Sequence, residues 1–113
     1  MLRRLSPVVL VVALLAGCAG NPKIAEIKYN PGKYQNHSVT VNGVVTSSWG
    51  VPLLPVKLYK VDDGSGEVTV VAHNGRTPSK GSRVSVKGRV TDFATFGGQS
   101  VGLHIEQQDL KFK

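Results

Sequence analysis

Two short segments decide the fold: VTVNGVV at positions 39–45 and VSVKGRV at positions 84–90. Both follow the pattern Val-x-Val-x-Gly-x-Val. Alternation of apolar and other residues with a period of two predicts a half-buried β-strand. A glycine inside such a strand often marks a bulge or a sharp bend. Two strongly bent strands in a short chain predict a small closed barrel, because a bent strand can serve both layers of the barrel.

Further strands flank these two segments. Together with them, the alternation predicts five strands at positions 38–47, 54–61, 67–73, 83–93 and 100–107, and residues 109–113 extend the last one. The segment DDGSG at 62–66 predicts a hairpin turn, because aspartate and glycine tolerate the backbone angles of such turns. The fold class is therefore all-β, a small five-stranded Greek-key barrel.

A short helix is predicted before the first strand. In KIAEIKY, positions 23–29, Ile24 and Ile27 are three residues apart and form one apolar stripe. Pro31 and Gly32 are expected to end this helix. The segment NGRTPSKGS at 74–82 is too short and too rich in glycine and proline to hold a second helix.

The succession of the helix, the two Val-x-Val-x-Gly-x-Val strands and the hairpin resembles small bacterial OB-fold domains. The anticodon-binding-like OB group and the cytochrome c maturation protein E type barrel have a similar pattern. The resemblance rests on Ile24, Ile27, Asn30, Pro31, Tyr34, Val39, Val41, Gly43, Val45, Asp63, Gly66, Val68, Val70, Pro78, Gly81, Val84, Val86, Gly88 and Val90. Many OB folds place a helix between strands three and four. Since that helix is missing here, we expect the helix at 23–29 to plug the barrel end instead.

The first 18 residues have the pattern of an export signal. Arg3 and Arg4 precede VVLVVALLA at 8–16, an apolar run shorter than the roughly 20 residues that span a bilayer. The run ends in LAGC at 15–18, which resembles the bacterial lipobox. That resemblance implies cleavage before Cys18 and lipidation of its thiol. The alternative is an incidental thiol, and a single cysteine excludes an internal disulfide.

This interpretation sets the domain organisation and the location. Residues 1–17 form a lipoprotein signal peptide, residues 18–22 an acylated cysteine with a short tether, and residues 23–113 the OB-like barrel. By resemblance to enterobacterial lipoproteins, Ala19 in place of aspartate favours the outer membrane, facing the periplasm, if the source is Gram-negative. We expect a cell-envelope protein whose only added group is the covalent lipid.

A row of basic residues is the strongest charge feature of a chain with a formal charge of +7. On the fourth strand the cations alternate with the valines, so they are expected to point outward. Two interpretations stay open: a solvated strand face that resists edge pairing, and a contact for an envelope protein or an anionic glycan or lipid. The row consists of Arg76, Lys80, Arg83, Lys87 and Arg89.

Two aromatic loops suggest a second contact. Trp49 lies in SSWGVP at 47–52, and Phe93 and Phe96 lie in FATFGG at 93–98. These three rings either cap one end of the core or form a recognition lip for a protein or a glycan.

Nucleic-acid binding is the alternative function, because OB folds often bind single strands through aromatic side chains on strands two and three. Alternation predicts an inward set of Leu54, Val56, Leu58, Val68, Val70 and Ala72, and an outward set of Lys57, Tyr59, Thr69, Val71 and His73. One outward tyrosine gives little stacking, so the sequence favours an ordinary sheet face over an oligonucleotide site on these strands.

Nothing in the sequence indicates an enzyme or a metal site. His37, His73 and His104 lack the spacing of paired ligands, and a metal site needs three or four convergent ligands. The segment DDGSGE at 62–67 lacks the length of a calcium loop. No G-x-S-x-G elbow is present. The resemblance implies no haem, since the haem-binding histidine of the related barrel has no counterpart here. We expect a membrane-anchored, non-enzymatic binding or assembly module.

Overall fold

Two short helices and seven strands make up the residues that the structure, a computed structural model, describes: 21–50, 54–73, 77–92, 94–96 and 99–113. Of residues 94–96, 99 and 100 only the backbone is described. The helices are α1 (Ile24–Tyr29) and α2 (Pro31–Tyr34). The strands are β1 (Ser38–Gly50), β2 (Lys57–Asp62), β3 (Glu67–Ala72), β4 (Arg83–Thr91), β5 (Ala94–Phe96), β6 (Gln99–Val101) and β7 (His104–Phe112).

Five strands close into a barrel in the order β1-β2-β3-β7-β4, and β5 and β6 form a separate hairpin. All barrel ladders are antiparallel except the one between β3 and β7. The first part of β1, from Ser38 to Val44, pairs with β4, and the second part, from Val44 to Gly50, pairs with β2. One bent strand thus serves both layers. The predicted five-stranded OB barrel is confirmed.

Two glycines make the closure possible. A Cβ atom added to Gly43 would overlap the carbonyl oxygen of Asp62, and one added to Gly88 would overlap that of Glu106. The β4–β7 register shifts between Lys87 and Gly88, and the β1–β2 register shifts shortly after Gly43. The strands therefore cross most closely at the glycines that interrupt the valine pattern.

Helix α1 closes one end of the barrel. Ile24 and Ile27 are fully buried in the main core with the inward valines of the strands. The N-cap residue Lys23 offers no side-chain bond. Instead, the β2–β3 turn supplies the missing acceptors: the Ile24 N–H donates to Asp63 Oδ2 at 2.9 Å and the Ala25 N–H donates to Ser65 Oγ at 3.0 Å. These bonds satisfy two of the backbone donors that a helix start leaves free. The prediction that this helix plugs the barrel is confirmed.

The predicted orientation of β2 was wrong. Tyr59, expected outside, is fully buried in the main core, and its hydroxyl donates to Gln107 Oε1 at 2.5 Å. Val56 and Leu58, expected in the barrel interior, lie in a second cluster with Val71, which is also buried rather than outward and exposed. Leu54 is 42% exposed and precedes the strand. Because β2 is apolar on both faces, its alternation could not distinguish inside from outside.

Several element boundaries also differ from the prediction: besides those that follow, the third and fourth strands end at Ala72 and Thr91 instead of 73 and 93. The segment 100–107 is divided between β6 and β7, with the last barrel strand starting at His104. Strand β1 runs to Gly50 instead of ending at 47, and β2 starts at Lys57 instead of 54. Pro31 ends α1 as predicted but then occupies the first turn of α2, a position that suits proline. None of the described helices is long and apolar enough to cross a membrane.

Candidate functional site

Three of the five residues of the basic row lie on the outward face of β4, the orientation predicted for them. Arg83, Lys87 and Arg89 are exposed and alternate with buried Val84, Val86, Gly88 and Val90. Lys80 lies exposed in the turn before β4. Arg76 lies outside the described residues, so its place in the row stays a prediction.

Carboxylates of β7 flank this row, which the sequence did not indicate. Asp109 is the cross-strand partner of Lys87, and Glu106 is the partner of Arg89. On the other side β1 places the hydroxyl residues Thr40 and Ser38 opposite the same two cations. No ion pair within 4 Å joins the three β4 cations to a described acid. The face is therefore a mixed polar surface whose positive charge is partly offset.

A second surface covers the outward side of β2 and β3. We call it the outer apolar cluster: Val56, Leu58 and Val71, with the partly buried Trp49 and Val101 packed against them. Leu58 and Val71 are cross-strand partners and are 1% and 0% exposed. Trp49 lies opposite Leu58 on β1. Burial of these outward side chains makes this face part of the folded interior.

Only one member of the predicted aromatic lip has a described side chain. Trp49 lies on the outer face of β1 and belongs to the outer apolar cluster. Phe93 lies outside the described residues, and of Phe96 only the backbone, in β5, is described. Whether the three rings meet stays a prediction.

Below the cluster, the outer face of β2 and β3 is polar. Glu67 accepts a hydrogen bond of 2.5 Å from the Thr46 hydroxyl, and its other oxygen lies 3.9 Å from Lys60 Nζ. The outward residues that the structure describes on β2 and β3 include no aromatic side chain, since Tyr59 points inward. The stacking platform of single-strand-binding OB folds is not formed by these two strands.

Two histidines and a glutamate meet beside the outer apolar cluster. His104 is fully buried, and its Nδ1 lies 2.7 Å from the Gly102 carbonyl oxygen. A carbonyl can only accept, so Nδ1 carries a proton. His104 Nε2 has no hydrogen-bond partner and lies 3.8 Å from Glu106 Oε2, and His73 Nε2 lies 3.7 Å from the same oxygen.

The meeting of these three residues could not be inferred from their spacing in the chain. It arises because β3 and β7 pair in parallel, which places Thr69 opposite His104 and Val71 opposite Glu106. Only a prediction of the β3–β7 pairing could have shown that these three residues meet. Among the described residues, no group of three His, Cys, Asp or Glu side chains is placed to hold a metal ion.

Hydrogen bonding shifts the pKa of the turn residue Asp63. Partial burial by itself favours the neutral acid. Hydrogen bonds from the Ser65 hydroxyl and from three backbone N–H groups outweigh that effect and lower the pKa of Asp63 below its ordinary value. Inside the barrel, burial raises the pKa of Tyr59, so its hydroxyl stays a donor. The sequence predicted this turn only as a hairpin connection. The ionised carboxylate of Asp63 gives it a second role, because it holds the start of α1.

An open cavity of about 440 Å³ lies next to this turn. Its lining includes Val44 of β1, Asp62 and Asp63 of the turn, Arg83 at the start of β4 and Lys113. Acids and bases both line it, so the cavity does not have the charge of a dedicated anion site.

Solved structures resemble this chain at the level of the fold. The second OB-fold domain of replication protein A from Methanococcus maripaludis is 20% identical, with 81% of this chain and 93% of that domain covered and a TM-score of 0.56. Asparaginyl-tRNA synthetase from Pyrococcus horikoshii is 18% identical with a TM-score of 0.58, and 71% of this chain matches 20% of that protein. An OBody bound to hen egg-white lysozyme is 26% identical, with 72% and 83% covered and a TM-score of 0.52.

These likenesses establish an OB-fold barrel and do not identify a ligand. The chain spans only about a fifth of the synthetase, and 57% of a chain of the Stn1–Ten1 complex from S. pombe that it also resembles. No family model matches the sequence, and no curated protein does.

Proposed function

We propose that this chain is an acylated lipoprotein whose OB barrel is a non-enzymatic binding or assembly module of the cell envelope. The observation that carries the proposal is Cys18, which directly follows Leu15-Ala16-Gly17 and an apolar run. Two or more acyl chains on one cysteine are enough for stable anchoring, whereas a single chain gives only marginal binding. Anchoring in the outer membrane, facing the periplasm, is the location we propose for a Gram-negative source.

The OB fold supports a binding role in general terms, and the charge pattern narrows the partner. The exposed cations of β4 have hydroxyl and carboxylate neighbours instead of a uniformly positive surround. Mixed polar faces of this kind suit a protein partner, where charges give specificity and association rate more than affinity. We therefore propose an envelope protein as the partner, and an anionic glycan as the other outcome of the test.

Oligonucleotide binding is less well supported. The outward residues described on β2 and β3 provide no aromatic platform, and Leu58 and Val71 are already buried. An oligonucleotide complex would lose affinity steeply as salt is raised, because counterions are released on binding. Measuring binding of a single-stranded oligonucleotide at two salt concentrations tests this alternative.

The anchor is tested by replacement of one residue. We expect Cys18→Ser to abolish acylation and release the protein from the membrane fraction, and mass spectrometry of the N-terminal peptide checks the acyl group. A variant that stays in the membrane fraction with the same processed mass would contradict the lipoprotein assignment.

The partner is tested by photo-crosslinking in intact cells. A photoreactive residue replaces Lys87 on the basic row, and the matched control replaces Lys57, an exposed cation on β2. A discrete adduct of protein mass from position 87 alone supports an assembly partner on the basic row. A diffuse ladder supports a glycan. Adducts from position 57 alone would contradict the basic row and move the contact to the side of Trp49.

A further inference from the structure

Exposed apolar and cationic side chains lie together at one rim of the barrel, where β1, β4 and β7 meet. We call this the rim patch, and it consists of Val44, Arg83, Lys111, Phe112 and Lys113. Val44 is the cross-strand partner of Arg83, and Phe112 is the partner of Val84, the next residue of β4. Phe112 is 49% exposed and Val44 is 36% exposed. Directly opposed residues point to the same face, so the Phe112 ring lies on the face of Val84, whereas Arg83 and Lys111 lie on the other face of the same strand ends. The half-exposed ring and the cations therefore share the rim and point to its two sides.

The chain enters the domain at this same rim. Val44 is the cross-strand partner of Asp62, and the neighbouring Asp63 accepts the Ile24 N–H at the start of α1. The open cavity beside the turn is lined jointly by Val44, Asp63, Arg83 and Lys113. The first turn of α1 and the rim patch therefore adjoin.

The distance to the proposed anchor is short. Five residues separate Cys18 from Ile24, and the six Cα–Cα steps between them span at most about 21 Å in a fully extended chain. An acylated Cys18 would hold the start of α1 within that distance of the bilayer. Two hydrogen bonds tie the start of α1 to Asp63 and Ser65, so the β2–β3 turn stays near the membrane with it.

We propose that the rim patch is the surface that contacts anionic phospholipid headgroups and orients the barrel on the membrane. This proposal rests on the acylation of Cys18 in the proposed function. It goes further, because it states which end of the barrel faces the lipid and which end is left for a partner. Trp49 lies five residues beyond Val44 on β1, about 17 Å farther along the strand.

The composition of the rim patch suits a lipid headgroup layer. Surfaces that lie in the membrane interface combine phenylalanine, tryptophan or leucine with lysine and arginine. The lysine and arginine side chains are attracted to the negative surface of anionic lipids. Asp62 and Asp63 lie beside Arg83 and Lys113 as charged carboxylates, and neither forms an ion pair within 4 Å with a described cation. The three cations of the rim patch outnumber these two acids, so the charge of the rim is positive on balance.

The first experiment measures which end of the barrel touches lipid. The full processed chain, acylated at Cys18, is placed in vesicles of phosphatidylcholine with about a third phosphatidylglycerol, some carrying brominated acyl chains that quench tryptophan fluorescence. Trp49 is the only native tryptophan. The rim probe is Phe112→Trp combined with Trp49→Phe. We expect at least twofold quenching of the rim probe and little quenching of native Trp49. Quenching of Trp49 with an unquenched rim probe would overturn the orientation.

A second pair of variants tests the charge. Arg83→Gln with Lys111→Gln, both in the rim-probe background, should lower quenching at least twofold in phosphatidylglycerol vesicles. The matched control is Lys57→Gln, an exposed cation next to Gly50 at the far end of β1. Equal quenching in the charge variant and in the control would show that the cations of the rim patch do not contact lipid. Circular dichroism melts confirm that each variant is folded.

Failure of this inference is distinguishable from failure of the proposed function. If mass spectrometry finds no acyl group on Cys18 and the protein does not float with vesicles, the lipoprotein assignment is wrong and the orientation falls with it. If the acylated protein floats but the rim probe is unquenched, only the orientation is wrong.

Discussion

On β4 the outward side chains Lys87 and Arg89 stand in water, whereas on β2 and β3 the outward Leu58 and Val71 are buried. Both pairs occupy equivalent positions on the outside of one barrel. The difference lies in what covers them: Val56, Val101 and Trp49 pack over the second pair. An OB barrel can therefore use one outer face for stability and leave another for contacts, and the position of a residue on the outside does not decide its role.

The largest expected loss of stability is at Gly88, on the inward side of β4. Gly88→Ala introduces a methyl group against the Glu106 backbone, which cannot move without breaking the β4–β7 ladder. We expect a loss of at least about 3 kcal/mol in the free energy of unfolding, at the upper end of overpacking. Urea denaturation measures it. The matched control is Gly50→Ala, which has open space around the new Cβ atom, and equal losses in both variants would contradict the crossing argument.

A smaller loss of stability, of the size typical of core positions, is expected on the outward face of β2. Leu58→Ala should lower the free energy of unfolding by about 2–3 kcal/mol, because the side chain is 1% exposed and leaves a cavity. Leu54→Ala is the control, since Leu54 is 42% exposed. If chemical denaturation showed the same small loss for both, the outer apolar cluster would be a surface feature and the contrast between the two faces would disappear.

An intermediate effect is expected at the β2–β3 turn and should depend on pH. The folded state lowers the pKa of Asp63, so its carboxylate contributes stability above the unfolded pKa of about 3.9 and loses that contribution as pH falls through the lower folded pKa. Asp63→Asn should cost about 1 kcal/mol at pH 7, a typical value for a helix cap. The cost should shrink toward pH 2.

Unfolding curves between pH 7 and pH 2 test this pH dependence. Asp62→Asn is the control, because Asp62 bonds only within the turn and does not hold α1. An Asp63→Asn deficit that stayed constant over the whole range would show that the carboxylate charge is not what stabilises the start of α1.

The smallest effect is expected on the water-facing side of β4. Lys87→Ala should change the free energy of unfolding by less than about 0.5 kcal/mol, as for most exposed substitutions. The same variant should reduce partner crosslinking if the basic row is a contact. Thermal melts together with the crosslinking yield separate the two roles, and a marked fall in melting temperature would mean that the row is needed for folding.

The orientation of β4 was predicted correctly and that of β2 was not, because the two strands differ in their pattern of polar and apolar residues. On β4 a cation or serine stands between successive inward residues, so only one face can be buried and the orientation of Arg83, Lys87 and Arg89 was predicted correctly. On β2 both Leu58 and Tyr59 are apolar enough to be buried. Periodicity cannot decide between them, and the choice depends on packing from elements distant in the sequence.

The surroundings of the site were harder to predict than its members. Asp109 stands beside Lys87 only because β7 pairs with β4 past a one-residue register shift. His73 and Glu106 approach each other only because β3 and β7 run parallel. The hold of Asp63 on α1 likewise joins two elements far apart in the chain. All three contacts are set by topology, which local patterns of residue types do not contain.

The β3–β7 ladder has a consequence for when the barrel can form. Of the five barrel strands β7 comes last in the sequence, yet it lies between β3 and β4 and pairs with both. Pairing between distant segments is slow, typically milliseconds to seconds, because the loop entropy is lost before the contacts form. The barrel cannot close until β7 is available to pair with β3 and β4. For a chain exported as proposed, this order would keep the earlier strands open while they pass the translocation channel and delay closure until the whole domain has crossed.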